Sequence, residues 1–191
     1  STTDPLGGVT QETYDSRGNL ATVTDPLGRV TRYTYDGLDR VTEVRRPDGT
    51  SERYTYDGVG RTLTYSDPNG NTTRYSYGAD WDKVTDALGG VTLYSYNPYG
   101  QLVSVKDATG AVSTRIYDRA GRMAASTDPL GNTTRYGYDA AGNNTSVTDP
   151  NGHVVTAAYN SRNLITSVTD PLNHTATFAY DLAGRRTGVT D

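Results

Sequence analysis

Two histidines and a long series of aspartates are the residues of this chain that could hold a metal ion or transfer protons. His153 and His174 lie 21 residues apart. In a hairpin repeat of that length, equivalent positions lie two strands apart, or roughly 9.6 Å. A shared zinc ion needs each ligand nitrogen at about 2.1 Å, so one ion could join the two only after considerable distortion. We interpret both histidines as exposed turn residues.

The aspartates recur at the start of Asp-Pro segments. An aspartate in the first place of a turn accepts hydrogen bonds from nearby backbone N–H groups and needs no ion. The Gly-Gly-x-Gly-x-Asp pattern of calcium-binding β-rolls does not occur. A turn-capping role is therefore favoured over calcium binding, and we expect no metal and no other cofactor. The members of this series are Asp25, Asp67, Asp128, Asp149 and Asp170.

No residue constellation for catalysis emerges from the sequence. The chain has no cysteine, which excludes a thiolate nucleophile, a thiolate metal site and disulfide bonds. Its serines and its two histidines fall at repeating turn and strand positions, so no Ser-His-Asp triad can be argued. We predict that the chain is not an enzyme.

Charge and hydropathy also argue against two classes of partner. Formal net charge is −4, from 18 basic and 22 acidic residues, so no overall field attracts nucleic acid or an anionic membrane. Arginine and tyrosine alternate along the strands and so face opposite ways, which disfavours base stacking on a basic groove. No run of 18 apolar residues is present, and membrane insertion is not expected.

The tyrosines reveal the organisation of the chain. Those that end each cycle are 21 residues apart, except for one step of 19 residues, and the Asp-Pro marker repeats in the same phase. Only Arg46 replaces the marker aspartate. We predict that residues 1–191 form a single array of about nine 21-residue repeats, with these residues as its structural ladder: Tyr14, Tyr35, Tyr56, Tyr77, Tyr96, Tyr117, Tyr138, Tyr159 and Tyr180.

Each cycle contains two strands and two turns. The segment 25–28, Asp-Pro-Leu-Gly, fits a type I turn. Residues 30–35 alternate as a strand does, with Arg32 on one face and Tyr33 and Tyr35 on the other. No helical period is present, and turn residues recur about every ten positions. The predicted fold class is all-β: tandem two-stranded hairpins forming one long curved, spiralling antiparallel sheet, a partial shell.

The paired Tyr-x-Tyr positions predict ladders of stacked rings on one face of that sheet. In the 19-residue cycle the turn is shorter, and we expect Trp81 to fill the resulting gap. Eighteen strands would span roughly 85 Å, and rolled into one ring they would leave too little room to enclose a folded domain. Because Asp4 and Asp191 share one repeat phase, we expect a segment excised from a longer array, with open strand edges that favour self-association.

The segments Tyr-Asp-x-x-Gly-Arg at 117–122 and 180–185, and Val-Thr-Asp-Pro-Leu-Gly at 23–28, resemble the YD repeat of the Rhs family. That family includes bacterial Rhs polymorphic toxins, the C component of Tc toxins and teneurins. The resemblance covers the whole chain. It implies a hollow β-shell that, in bacterial members, encapsulates a C-terminal toxin or effector domain. It also implies flanking repeats and that domain as partners, and an exported parent, secreted or on the bacterial surface.

The self-cleaving Asp-Pro-x-Gly-Leu segment of such shells is absent, since Gly8, Arg29 or Asn132 follows each Asp-Pro-Leu-Gly. No protease residues are therefore carried over. An alternative function is a carbohydrate-binding or cell-surface adhesion module, because exposed aromatic faces bind ligands. Known sugar-binding repeats of similar length rely on tryptophan, and this chain has one.

Overall fold

A computed structural model describes residues 1–191 and consists of β-strands and turns. It contains no helix that is long and apolar enough to cross a membrane. The chain divides into two compact units, Ser1–Leu93 and Tyr94–Asp191. The strand that contains their boundary is β10 (Val91–Tyr96).

The first unit holds nine complete strands: β1 (Thr2–Thr3), β2 (Val9–Tyr14), β3 (Leu20–Thr24), β4 (Val30–Tyr35), β5 (Val41–Arg45), β6 (Ser51–Tyr56), β7 (Thr62–Ser66), β8 (Thr72–Tyr77) and β9 (Trp81–Thr85). The second unit also holds nine: β11 (Leu102–Lys106), β12 (Val112–Tyr117), β13 (Met123–Thr127), β14 (Thr133–Tyr138), β15 (Asn144–Thr148), β16 (Val154–Tyr159), β17 (Ile165–Thr169), β18 (Thr175–Tyr180) and β19 (Arg186–Thr190).

Within each unit, every strand pairs antiparallel with the next strand of the sequence. Valine, threonine and tyrosine dominate the strands because branched and aromatic side chains fit a pleated surface. The turn residues that interrupt them after five or six positions prevent longer elements. The result is an uninterrupted meander of hairpins in each unit, and the predicted all-β class is confirmed.

Two kinds of turn alternate along the meander and therefore lie at opposite ends of the strands. We call these two sides of the sheet the DP edge and the YD edge. The DP turns are segments 4–8, 25–29, 46–50, 67–71, 86–90, 107–111, 128–132, 149–153 and 170–174. The YD turns follow the tyrosine that ends an even-numbered strand, at 15–19, 36–40, 57–61, 97–101, 118–122, 139–143, 160–164 and 181–185. In both kinds the fourth residue donates its N–H to the first carbonyl, as Gly28 does to Asp25 at 2.9 Å.

A β-bulge accompanies the YD turns that have five residues. Opposite β4, for example, Thr34 pairs with Glu43 and Tyr35 with Val41, which leaves Thr42 without a partner position. Val41 and Val44 are three positions apart and would face opposite ways in a regular strand. The bulge places both on the face of Tyr35 and Tyr33.

The 19-residue cycle differs from the others by losing both the bulge and one turn residue. Tyr77 pairs with Asp82 and Ser76 with Lys83, without a register shift. The turn closes through Gly78, whose N–H donates to the carbonyl of Trp81 at 2.7 Å. The Trp81 indole lies against Gly78 and is 37% exposed, so it covers this short turn from outside.

No residue of the chain is fully buried. The accessible surface is 12516 Å², whereas a globular monomer of 20.6 kDa would expose about 8,900 Å². In β4, Tyr33 and Tyr35 are half-buried, while Arg32 and Thr34 on the other face are exposed. Odd-numbered strands such as β13 and β17 are half-buried on both faces. The strands thus form a layer whose faces are not covered by other elements.

Candidate functional site

The tyrosines that end most of the even-numbered strands bond to the preceding repeat. In each case the hydroxyl reaches the adjacent, preceding strand and donates to a backbone carbonyl 15 residues earlier, as Tyr56 does to Val41 at 2.7 Å. Such a bond fixes each hairpin against the one before it. It recurs from Tyr35 to Leu20, Tyr77 to Thr62, Tyr117 to Leu102, Tyr138 to Met123 and Tyr159 to Asn144.

An arginine in the fifth place of the YD turn covers the ring of the next such tyrosine. The guanidinium carbon of Arg40 lies 4.7 Å from the ring centre of Tyr56. Its Nε donates to Asp36 at 2.7 Å and its Nη1 to the carbonyl of Asp57 at 2.9 Å. Arginine favours such sites because its planar group stacks on a ring while its edges donate hydrogen bonds. Arg61 over Tyr77 and Arg122 over Tyr138 repeat the stacking, at 4.3 and 4.6 Å.

We call this combination of tyrosine hydroxyl, stacked arginine and turn aspartate the repeat lock. Within each turn the aspartate carboxylate also accepts backbone N–H groups, as Asp118 does from Ala120 and Arg122, both at 2.9 Å. The backbone N–H and then the guanidinium of Arg122 hold the pKa of Asp118 below its usual value, against partial desolvation that raises it. The carboxylate is therefore ionised, and paired, at neutral pH.

The predicted stacking of these tyrosine rings on one another is wrong. Arginine covers the ring of Tyr56, Tyr77 and Tyr138, because equivalent rings lie two strands apart and are too distant for direct contact. A ring contact does form between directly paired residues of adjacent strands, where Tyr54 and Tyr65 lie 5.2 Å apart with a tilt of 37°. Burial and a hydrogen bond to Glu52 raise the pKa of Tyr54 to about 12.

The first member of the tyrosine series differs from the others. Tyr14 is 59% exposed and donates to Glu12 at 3.0 Å. That bond, and then the charge of Glu12, raises its pKa. Tyr35 and Tyr56 instead donate to backbone carbonyls.

The aspartates of the predicted series all cap their own DP turns. Asp25 Oδ1 accepts the N–H groups of Leu27 and Arg29, both at 2.9 Å, and Asp67, Asp128, Asp149 and Asp170 repeat this arrangement. Both histidines belong to the same caps: His153 Nδ1 lies 2.8 Å from Asp149 and His174 Nδ1 lies 3.0 Å from Asp170. No group of three or more potential ligands lies together in a way that would hold a metal ion.

Hydrogen bonds between successive turns occur at the YD edge. Arg17 donates to the carbonyl of Asp36 at 2.7 Å, Gln101 to that of Gly121 at 2.7 Å, and Arg162 to that of Asp181 at 3.0 Å. At the DP edge, the side-chain bonds of each turn stay within that turn or its own hairpin. The two edges thus differ in cohesion, and the YD edge is the one that joins repeats.

The sequence prediction missed the fifth turn residue as a structural element. It included the arginine in the recurring motif but gave it no role. The signal was present, because Arg40, Arg61, Arg122 and Arg185 occupy the same repeat position. What could not be read from one cycle is that this side chain acts on the following repeat.

Comparison with known proteins identifies the repeat. The family model described as RHS Repeat matches residues 14–51, 83–112, 117–154 and 159–191, well over half of the chain. No curated protein sequence matches significantly.

Solved structures share the fold. The crystal structure of TcdB2-TccC3 without its hypervariable C-terminal region superposes with a TM-score of 0.72 at 16% identity, over 97% of this chain and 12% of that one. The Photorhabdus luminescens Tc holotoxin pore with the TccC3 D651A mutation gives 0.61 at 19% identity, over 95% and 12%. A TcdB2-TccC3-Cdc42 crystal structure gives 0.55 at 18%, over 93% and 13%.

The present chain thus spans about an eighth of the length of those proteins. The in-phase tyrosines, the capped turns and the antiparallel hairpins all agree with the match over four separate segments. The chain belongs to the RHS repeat family.

Proposed function

We propose that this chain is a wall segment of an Rhs-type β-shell, which in the intact protein encapsulates a C-terminal toxin or effector domain. The observation that carries the proposal is the repeat lock: its contacts serve to hold one hairpin against the next. These contacts recur at Tyr56, Tyr77 and Tyr138, in both units of the chain. The chain shares its fold with TcdB2-TccC3, and the match covers only 12% of that protein. A small segment of a much longer protein with the same fold supports the assignment.

The exposed surface of the chain supports a role within a larger assembly. An uncovered layer with no fully buried residue lacks the core that stabilises an independent domain. Additional repeats and an enclosed domain would supply the missing cover. We therefore propose that residues 1–191 are one segment of a longer array, that flanking repeats and the enclosed domain are its partners, and that the parent is exported, secreted or at the bacterial surface.

Protease protection in the parent protein tests this proposal. We expect its C-terminal domain to resist proteolysis while the array is intact and to be cleaved faster when Tyr56 and Tyr77 are both changed to Phe, because two repeat locks are lost. Arg119→Lys, at an exposed position of a YD turn, is the matched control and should leave protection unchanged. If the C-terminal domain were digested as fast in the unaltered protein as in the double variant, encapsulation would be contradicted.

Glycan binding is a second candidate, favoured by one groove. Tyr99, which is 88% exposed, lines it together with Tyr117 and Arg119, between two YD turns of the second unit. Aromatic rings beside polar groups are typical of sugar sites. Binding on a glycan array that disappears in Tyr99→Ala would support this function, and an array without signal from the folded chain would exclude it.

A further inference from the structure

A groove between two neighbouring DP turns of the first unit is lined by four arginines. Arg29, Arg32, Arg45 and Arg46 surround a space of about 560 Å³, and the other lining residues are Gly28, Val30, Pro47 and Gly49. No acidic side chain contributes to this lining. The groove lies at the edge opposite the YD turns, away from the repeat locks.

Three of the four arginines depart from the pattern of the repeat. Arg46 occupies the position that is aspartate in every other cycle. Arg45 occupies a position that is elsewhere mostly threonine, as in Thr24, Thr85 and Thr127. Arg29 stands where the neighbouring cycles have Gly8 and Thr50, both uncharged. Only Arg32 is the residue often found at its repeat position. The three unusual arginines therefore lie together around one groove.

The turn itself does not require these arginines. The 46–50 turn keeps the backbone bonds of its relatives, from Arg46 N–H to Thr50 at 2.9 Å and from Gly49 N–H to Arg46 at 3.0 Å. Asp48 takes over part of the lost cap by accepting the Thr50 N–H at 2.9 Å. An aspartate at position 46 would satisfy the turn better, so local folding does not explain the arginine.

Two of the arginines are also placed unfavourably for the sheet. Arg32 and Arg45 are direct cross-strand partners, and like charges in that relation are destabilising. Neither one makes a hydrogen bond or an ion pair within the chain. The carboxylate of Glu43 offsets the positive charge of Arg45 only in part, because Glu43 is already paired with Arg53 at 2.9 Å.

The remaining acidic groups nearby are engaged with the other two arginines. Asp25 is paired with Arg29 at 2.6 Å, Glu52 is paired with Arg46, and Asp48 is also influenced by the charge of Arg46. The guanidinium groups of Arg32 and Arg45 are thus compensated only in part, by Glu43 beside Arg45, and they lie on the sheet face opposite the tyrosines. A ligand carrying negative charge would relieve their repulsion.

We propose that this groove binds a compact oxyanion of the phosphate class. Guanidinium groups present planar pairs of N–H donors that match phosphate oxygens, and Arg32 and Arg45, side by side on one sheet face, can both donate to a single anion. The formal net charge of −4 disfavours a long polyanion, whereas a small phosphate group needs only the four local arginines. This proposal is independent of the shell function.

Inorganic pyrophosphate is the probe, titrated into the chain in an isothermal calorimeter at low salt. We expect saturable binding at one site. The double variant Arg45→Thr with Arg46→Asp restores the residues typical of the repeat and should fold at least as well as the original chain. Its affinity should fall about tenfold or more, because two charge-assisted contacts are lost.

The control is Arg135→Thr, which removes an arginine from the strand position equivalent to Arg32 in the second unit, where Thr148 lies opposite. It should leave the affinity unchanged. Pyrophosphate should also raise the unfolding temperature of the original chain and not that of the double variant. Absence of saturable binding, equal affinity in the double variant, or equal weakening in Arg135→Thr would each overturn the proposal.

Discussion

The hydroxyl of Tyr56, at the end of β6, donates a 2.7 Å hydrogen bond to the carbonyl oxygen of Val41, at the start of the adjacent strand β5. The ring of Tyr56 is held at the same time by Arg40 of the preceding turn. One side chain therefore carries both a backbone anchor and a stacking surface, and its partners all belong to the repeat before it or to adjoining turns. Cohesion in this sheet depends on such contacts because there is no buried core.

Tyr56→Phe should lower the free energy of unfolding by about 0.5–1.5 kcal/mol, the usual contribution of one hydrogen bond. The ring and its contact with Arg40 are retained in this variant. Urea unfolding followed by circular dichroism measures the effect. Tyr14→Phe is the control and should be neutral, since its hydroxyl bonds only to the exposed Glu12. Equal effects of the two changes would argue against the anchor.

Arg61→Lys should also destabilise the sheet, although the charge is retained. A lysine cannot both stack on Tyr77 and reach Asp57 in the manner of the guanidinium. Loss of the stacking alone should cost about 0.5–1 kcal/mol. Thermal unfolding compared with Arg119→Lys, an exposed turn arginine, provides the measurement. A neutral Arg61→Lys would show that the contact contributes little.

Stability should decline in acid. Hydrogen bonds from Asn132, its side chain first, hold the pKa of Asp128 below its ordinary value, and the side chain of Asn71 does the same for Asp67. The unfolded chain takes up protons near pH 3.9, above the lowered folded values. The stabilisation is therefore complete above that pH and is lost as pH falls through the folded pKa values.

Urea midpoints from pH 7 down to pH 2 test this, with the loss expected below about pH 4. Asp128→Asn provides a control, because an asparagine can form the same cap: in a YD turn, Asn97 accepts the N–H groups of Tyr99 and Gln101, both at 3.0 Å. The variant should keep its cap and lose part of the acid sensitivity. A midpoint that rises toward pH 3 would contradict the assignment.

Gly131→Ala should destabilise the chain by about 1–2 kcal/mol, because a left-handed backbone is strained for a residue with Cβ. Gly131 has a φ of 88° although no atom would obstruct the added methyl group. Gly58→Ala is the matched control: it too has free space, but its φ is not positive, and it should be tolerated. Equal unfolding midpoints for both variants would refute the backbone argument.

Local chemistry explains why the turns could be predicted and the repeat lock could not. Asp25, Pro26 and Gly28 specify their turn within four residues, and the structure forms it with the expected bond from Gly28 to Asp25. The partner of Tyr56 is set by the pairing of strands and the bulge after Tyr56, which no single cycle encodes. Ring stacking was predicted from spacing alone, which overlooked the two-strand separation that arginine bridges.

Each repeat lock reaches only one repeat back, and this limited range has a consequence for inheritance. Removing or duplicating one 21-residue unit leaves a strand-ending tyrosine in the same relation to a backbone carbonyl 15 residues earlier across the new junction. Unequal recombination within the coding sequence can therefore change the length of the array in whole units without creating an unmatched interface.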